Sequence, residues 1–258
     1  MRHPADWGPF WIRALSSDLC VSAFGGITNL LLEHKKSGQP GVYALFSNDH
    51  NDHGWLNALT NVATGMADEF VRERIEGTRS CLFDLQRLCS YGHFRLSDHM
   101  AVTRELLSGL GEAHSAFVTT LLQRAGVNAR FVDLSGWRGA RECTLPQRIS
   151  RGLDGVDLET ELPIVTGYAQ CSEGLMQKYD RGYSEVTFCN IAAYTGATEA
   201  IIHKEFHLSS ADPNLVGSTN VGKLGHTDYD VADQQLNMGI PTFSGKFPTR
   251  AEASNCIS

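Results

Sequence analysis

Three short segments carry residue types whose spacing can do chemistry. Ser22, Gly25, Gly26 and Thr28 lie within seven positions. Glycines permit close backbone approach and hydroxyls add donors, which suits a cradle for a phosphate or carboxylate. The same spacing also fits a plain tight turn between a strand and a helix. Asp180-Arg181-Gly182-Tyr183-Ser184-Glu185 leads into a helix. A guanidinium fork beside a helix N-terminus is a pair of anion-binding devices. A helix capped by Ser184 with Arg181 in solvent is the blander reading. Glu112 follows Leu110-Gly111 and reads as the start of a helix over 112–125. There it either complements the helix dipole, worth under about 1 kcal/mol, or pairs with a ligand ammonium.

Other candidates are weaker. His50 and His53 fall in a polar loop, and His203 and His207 straddle a strand end. Neither pair offers two nitrogens on one helix face, so no transition-metal site is expected. Cys171 and Cys189 have no activating partner evident in the sequence. The seven cysteines are scattered singly, without a CxxC pair, which suits a reduced cytoplasm. A net charge of −7 and the lone basic pair Lys35-Lys36 argue against nucleic acid as the main partner. No secretory leader is expected at the start, and no apolar run reaches the roughly 18 residues of a membrane helix.

The elements that must position these residues read as alternating strands and helices. Leu19 to Phe24 is an apolar strand, followed by the Gly-Gly turn and a helix marked by Ile27, Leu30, Leu31 and His34. Helical periodicity runs from Trp55 to Leu110, and again from Glu112 to a C-cap at Gly126. Strands are expected at 128–134, 161–170 and 199–206, and helices at 184–197 and 228–239. The stretches from 135 to 155 and from 171 to 183 read as loops. This alternation points to an α/β fold around a mostly parallel sheet, in one domain spanning 1–258.

Taken in order, these segments resemble the aspartate kinase branch of the amino acid kinase family. VSAFGGITNLL (21–31) is similar to the family's Ser-Ala-x-x-Gly-x-Thr-Asn-x-Leu segment, and Gly111-Glu112 to its Gly-Glu pair. Thr166-Gly167-Tyr168 followed by Arg181-Gly182-Tyr183-Ser184-Glu185 resembles a Gly-Phe segment followed by Gly-Arg-Gly-Gly-Ser-Asp. Ser210-Ala211-Asp212-Pro213 resembles the Thr-x-Asp-Pro-Arg nucleotide loop. RGYSEVTF, IIHKEFHLSSADP and YDVADQ look most like the aspartate kinases of ectoine biosynthesis. The family-like core covers about 19–239.

The resemblance implies an amino-acid-kinase three-layer sandwich and ATP-dependent phosphorylation of the L-aspartate β-carboxylate, with Mg²⁺. It implies substrate contacts from Ser22, Thr28, Glu112, Arg181 and Ser184, with Glu185 and Thr28 at the reacting groups. It implies nucleotide contacts from Gly25, Gly26, His203, Lys204, Ser209, Asp212 and Pro213. L-Aspartate and ATP are the expected partners, a homo-oligomer is left open, and the location is cytoplasmic.

The family pattern is not fully met. Residues 1–18 contain neither lysine nor Gly-Gly where the family carries Lys-x-Gly-Gly-Thr-Ser, and the strand bearing that motif is expected to be missing. Asn214 follows Asp212-Pro213 where a basic residue is usual. Set against the family, the chain reads as truncated at both ends and without ACT domains. The expectation is therefore an impaired kinase, or else an inactive aspartate-binding or regulatory homologue.

Overall fold

In a computed structural model of the chain, the residues described are 11–14, 18–23, 25–34, 37–39, 41, 69–91, 99–114, 117–136, 142–179, 182–197 and 200–202. Five strands form one sheet: β1 (Trp11–Ala14), β2 (Asp18–Val21), β3 (Ala129–Val132), β4 (Leu162–Thr166) and β5 (Ala200–Ile202). Their order is β3-β4-β2-β1-β5. β2 and β3 each run parallel to β4, whereas β1 is antiparallel to both β2 and β5. The sheet is thus mostly parallel with one reversed strand. A strand at Trp11–Ala14 was not expected ahead of residue 19. Its WIRA stretch is short, with Gly8-Pro9 just before it and Ser16-Ser17 just after, which hid it among turn residues.

Seven helices are described: α1 (Ile27–Leu31), α2 (Glu69–Ser90), α3 (Met100–His114), α4 (Phe117–Arg124), α5 (Leu145–Leu153), α6 (Leu175–Tyr179) and α7 (Tyr183–Thr195). Successive strand residues face opposite sides. Leu19, Val21, Ala129 and Ile164 pack with Val118 of α4 on one side. Cys20, Val132 and Val165 join a larger core on the other, with side chains from the remaining helices. Helices therefore cover both faces, and β4, buried on both, carries the near-continuous apolar run such strands need.

Several boundaries differ from the sequence reading. The strand expected at 19–24 ends at Val21, and the helix after it stops at Leu31 rather than His34. The loop expected to reach residue 155 contains α5, whose start is a capping box. Thr144 accepts from the Gln147 amide while the Gln147 side chain accepts from the Thr144 amide. Leu145, Ile149 and Leu153 form its buried stripe. The five-residue α6 was likewise read as loop. The strand expected at 199–206 is described at Ala200–Ile202, and the helix expected at 228–239 lies outside the described residues.

Candidate active site

β2 and β4 are parallel neighbours, and the chain leaves both at the same edge of the sheet. Ser22 and Ala23 follow the end of β2, and Gly167 follows the end of β4. Two helices bring polar side chains to this edge. The last turn of α3 delivers Glu112, and the first turn of α7 delivers Tyr183, Ser184 and Glu185.

Glu112 is completely buried. The Tyr183 phenol donates to its Oε1 at 3.2 Å. The backbone amides of Ala23 and Gly167 are also turned toward its carboxylate. Burial nevertheless dominates and pushes the carboxyl up to about 8, with the neighbouring Glu185 carboxylate acting in the same direction. The expectation that Glu112 opens a helix is corrected: it lies two residues from the end of α3. At that end the dipole opposes a carboxylate instead of complementing it. Dipole complementarity therefore does not explain this residue.

Ser184 also departs from expectation. Gly182 occupies the N-cap of α7 and no side chain caps the helix. The helix starts one residue early, so the Ser184 hydroxyl is spare. It stands 3.5 Å from the Ser22 hydroxyl, long for a hydrogen bond between two hydroxyls. Thr28, in α1, lies against the Tyr183 phenol together with Ser108 of α3. The backbone at Gly167 closes the floor of the site. A β-carbon there would stand 2.9 Å from Ser184 Oγ and 3.0 Å from Glu112 Oε2.

Of the residues singled out in the sequence, Ser22, Thr28, Glu112, Ser184 and Glu185 are thus brought together. Gly25 and Gly26 form the exposed turn before α1, with Gly26 in left-handed backbone at φ 89°. Open space surrounds the position of a Gly25 β-carbon. Arg181, His203, Lys204, Ser209, Asp212 and Pro213 lie outside the described residues. Tyr183 and Ser108 were not picked out as site residues. The signal for Tyr183 was present, since it stands where the resembled motif has glycine.

A buried acid, hydroxyls and backbone amides thus meet at the carboxyl ends of the parallel strands of an α/β protein, the edge at which such sheets usually bind ligands. No protein-family model and no solved structure matches the chain. A curated relative, the aspartate kinase Ask_Ect of Stutzerimonas stutzeri (strain A1501), is 51% identical over 237 residues. The match covers 85% of this chain and 50% of the relative. Over those 237 residues the chain is homologous to an aspartate kinase. It spans about half the length of that relative. Among the described residues no helix is long and apolar enough to cross a membrane, and no cluster of three or more His, Cys, Asp or Glu is placed to hold a metal ion.

Proposed function

We propose that the chain is the amino-acid-kinase-type catalytic domain of an aspartate kinase, transferring the γ-phosphoryl group of ATP to the β-carboxylate of L-aspartate. The observation that carries this reading is the convergence on Glu112 of residues from three motif segments, 21–31, 111–112 and 183–185. A buried acid at the end of parallel strands is a natural partner for an α-ammonium, because the incoming charge compensates the ionised carboxylate. Ser22, Ser184 and Thr28 donate to the aspartate and to the phosphoryl group in transit. Arg181, next to the N-cap of α7, holds the α-carboxylate through its two-pronged fork.

In the reaction a β-carboxylate oxygen bonds to the γ-phosphorus as the bond to the β,γ-bridging oxygen breaks. The products are 4-phospho-L-aspartate and ADP. Such transfers depend on positioning and charge stabilisation rather than on covalent help from the protein. The exposed Gly25-Gly26 turn, open where a Gly25 side chain would stand, supports close approach of a phosphate. Glu185 and Thr28 act at the reacting groups, and His203, Lys204, Ser209, Asp212 and Pro213 contact the nucleotide. Mg²⁺, carried with ATP, offsets charge on the triphosphate when bound. The product is the first intermediate on the route from aspartate to lysine, threonine, methionine and ectoine, and a cytoplasmic location fits that role.

Asn214 favours a second reading, an aspartate-binding homologue with little turnover, because it replaces a basic residue of the nucleotide loop. A hydroxamate-coupled assay with aspartate, ATP and Mg²⁺, run beside calorimetry with aspartate alone, separates the two. Turnover of aspartate in preference to glutamate is expected. Binding without turnover selects the second reading, and no aspartate binding overturns both.

A further inference from the structure

Helix α3 carries two acids seven residues apart, Glu105 and Glu112, and each receives a buried phenol. Tyr168 donates to Glu105, and Tyr183 donates to Glu112. The two rings meet edge to face with centroids 5.3 Å apart. The pairs differ in what surrounds them. Glu105 also accepts from the Gln177 amide at 3.0 Å and so ties α3 to α6. Tyr183 sits inside the candidate site, 2% exposed, with the hydroxyls of Thr28 and Ser108 against its oxygen. A phenol has one proton to give and can accept two. Glu112 of α3 takes that proton, and Thr28 of α1 and Ser108 of α3 lie beside the oxygen.

We propose that Tyr183 is a positioning residue: its phenol holds the Glu112 carboxylate in register to receive the substrate ammonium. This rests on the aspartate kinase reading for the identity of the ammonium, though not for the phenol–carboxylate contact. The resembled motif has glycine at this position, and a glycine supplies no such donor. Through its phenol Tyr183, at the start of α7, ties that helix to the end of α3.

Tyr183→Phe removes the oxygen and keeps the ring against Tyr168. Loss of a hydrogen bond to a charged group is expected to raise the KM for aspartate about tenfold or more, with the KM for ATP unchanged. The Glu112 carboxyl titration, followed by ¹³C NMR, is expected to move upward because a donor to its ionised form is gone. Tyr168→Phe is the control. It removes the sister phenol, and is expected to lower Tm without moving the aspartate KM or the Glu112 titration. Should Tyr183→Phe fail to fold, Ser108→Ala, which changes the packing beside the phenol oxygen, is expected to shift both readouts in the same direction by less. An unchanged aspartate KM together with an unmoved Glu112 titration overturns the role. If the wild-type protein binds no aspartate, the functional reading falls, and the titration still decides whether Tyr183 positions Glu112.

Discussion

Gly167 leaves no room for a side chain beside Glu112: a β-carbon would come within 3.0 Å of its Oε2 and 2.9 Å of Ser184 Oγ. The end of β4 therefore meets the end of α3 and the start of α7 as bare backbone. The contacted atoms belong to a fully buried acid and a nearly buried serine, so relief has to come from shifting packed groups.

Gly167→Ala is accordingly expected to destabilise the fold by about 1–3 kcal/mol, the usual cost of overpacking. It should weaken aspartate binding as well, because the displaced groups are the proposed ligands. Urea unfolding and calorimetry test the two effects separately. Normal affinity alongside lower stability would place the aspartate elsewhere.

The raised carboxyl of Glu112 sets a direction for pH dependence. Its ordinary value is 4.5 and its folded value is about 8. Below the ordinary value both folded and unfolded chains carry the proton, and the residue costs nothing. Between the two values the unfolded chain releases a proton that the folded chain keeps, so stability falls as pH rises. The loss is on the order of a few kcal/mol across that window. Glu112→Gln has no proton to lose and is expected to flatten this part of the profile. Chemical unfolding between pH 5 and 8 measures it, and parallel wild-type and variant profiles would contradict the burial argument. The same substitution should abolish aspartate binding, since an amide offers an ammonium no countercharge.

How much of this was readable in the sequence depended on whether a residue's constraint was local. The β4 run is apolar because both faces are covered, and it was legible as a strand from that fact alone. Glu112 was placed in the wrong helix because Gly109 and Gly111 look like breakers. In the structure α3 runs through both. A β-carbon on Gly109 would stand 3.2 Å from the Ser135 carbonyl, and one on Gly111 would stand 3.1 Å from Leu31 Cδ1. Those glycines serve close packing between distant segments, which no local pattern reports. Ser22, Thr28, Ser184 and Glu185 were found through their motif. Their meeting at one sheet edge follows from the parallel pairing of β2 with β4, and Tyr183 was passed over because the motif has glycine there.

The cap of α5 was legible and was missed. Thr144-Leu145-Pro146-Gln147 has the hydroxyl, the early proline and the reciprocal glutamine of a helix start. Thr144→Ala is expected to cost about 1 kcal/mol. Because α5 meets α7 at Tyr194, in the last turn of α7, where that phenol reaches Ser150 Oγ at 3.2 Å, the kinetic constants should not move. A Tm scan with steady-state assays checks this. A loss of aspartate affinity would mean that α5 helps to set the position of α7.

The two hydroxyls at the mouth of the site give the last expectation. Ser22 and Ser184 stand 3.5 Å apart, too far for strong mutual attraction, and they come from different elements. Removing either should therefore change stability by less than about 1 kcal/mol. If a carboxylate oxygen of the substrate bridges them, Ser22→Ala and Ser184→Ala should each raise the aspartate KM. The double variant should then fall short of the product of the two single effects, because the second hydroxyl has less to act on once the bridge is lost. Independent, multiplying effects would mean that the serines contact different parts of the substrate. A large stability loss from either single change, with KM unmoved, would make the pair structural.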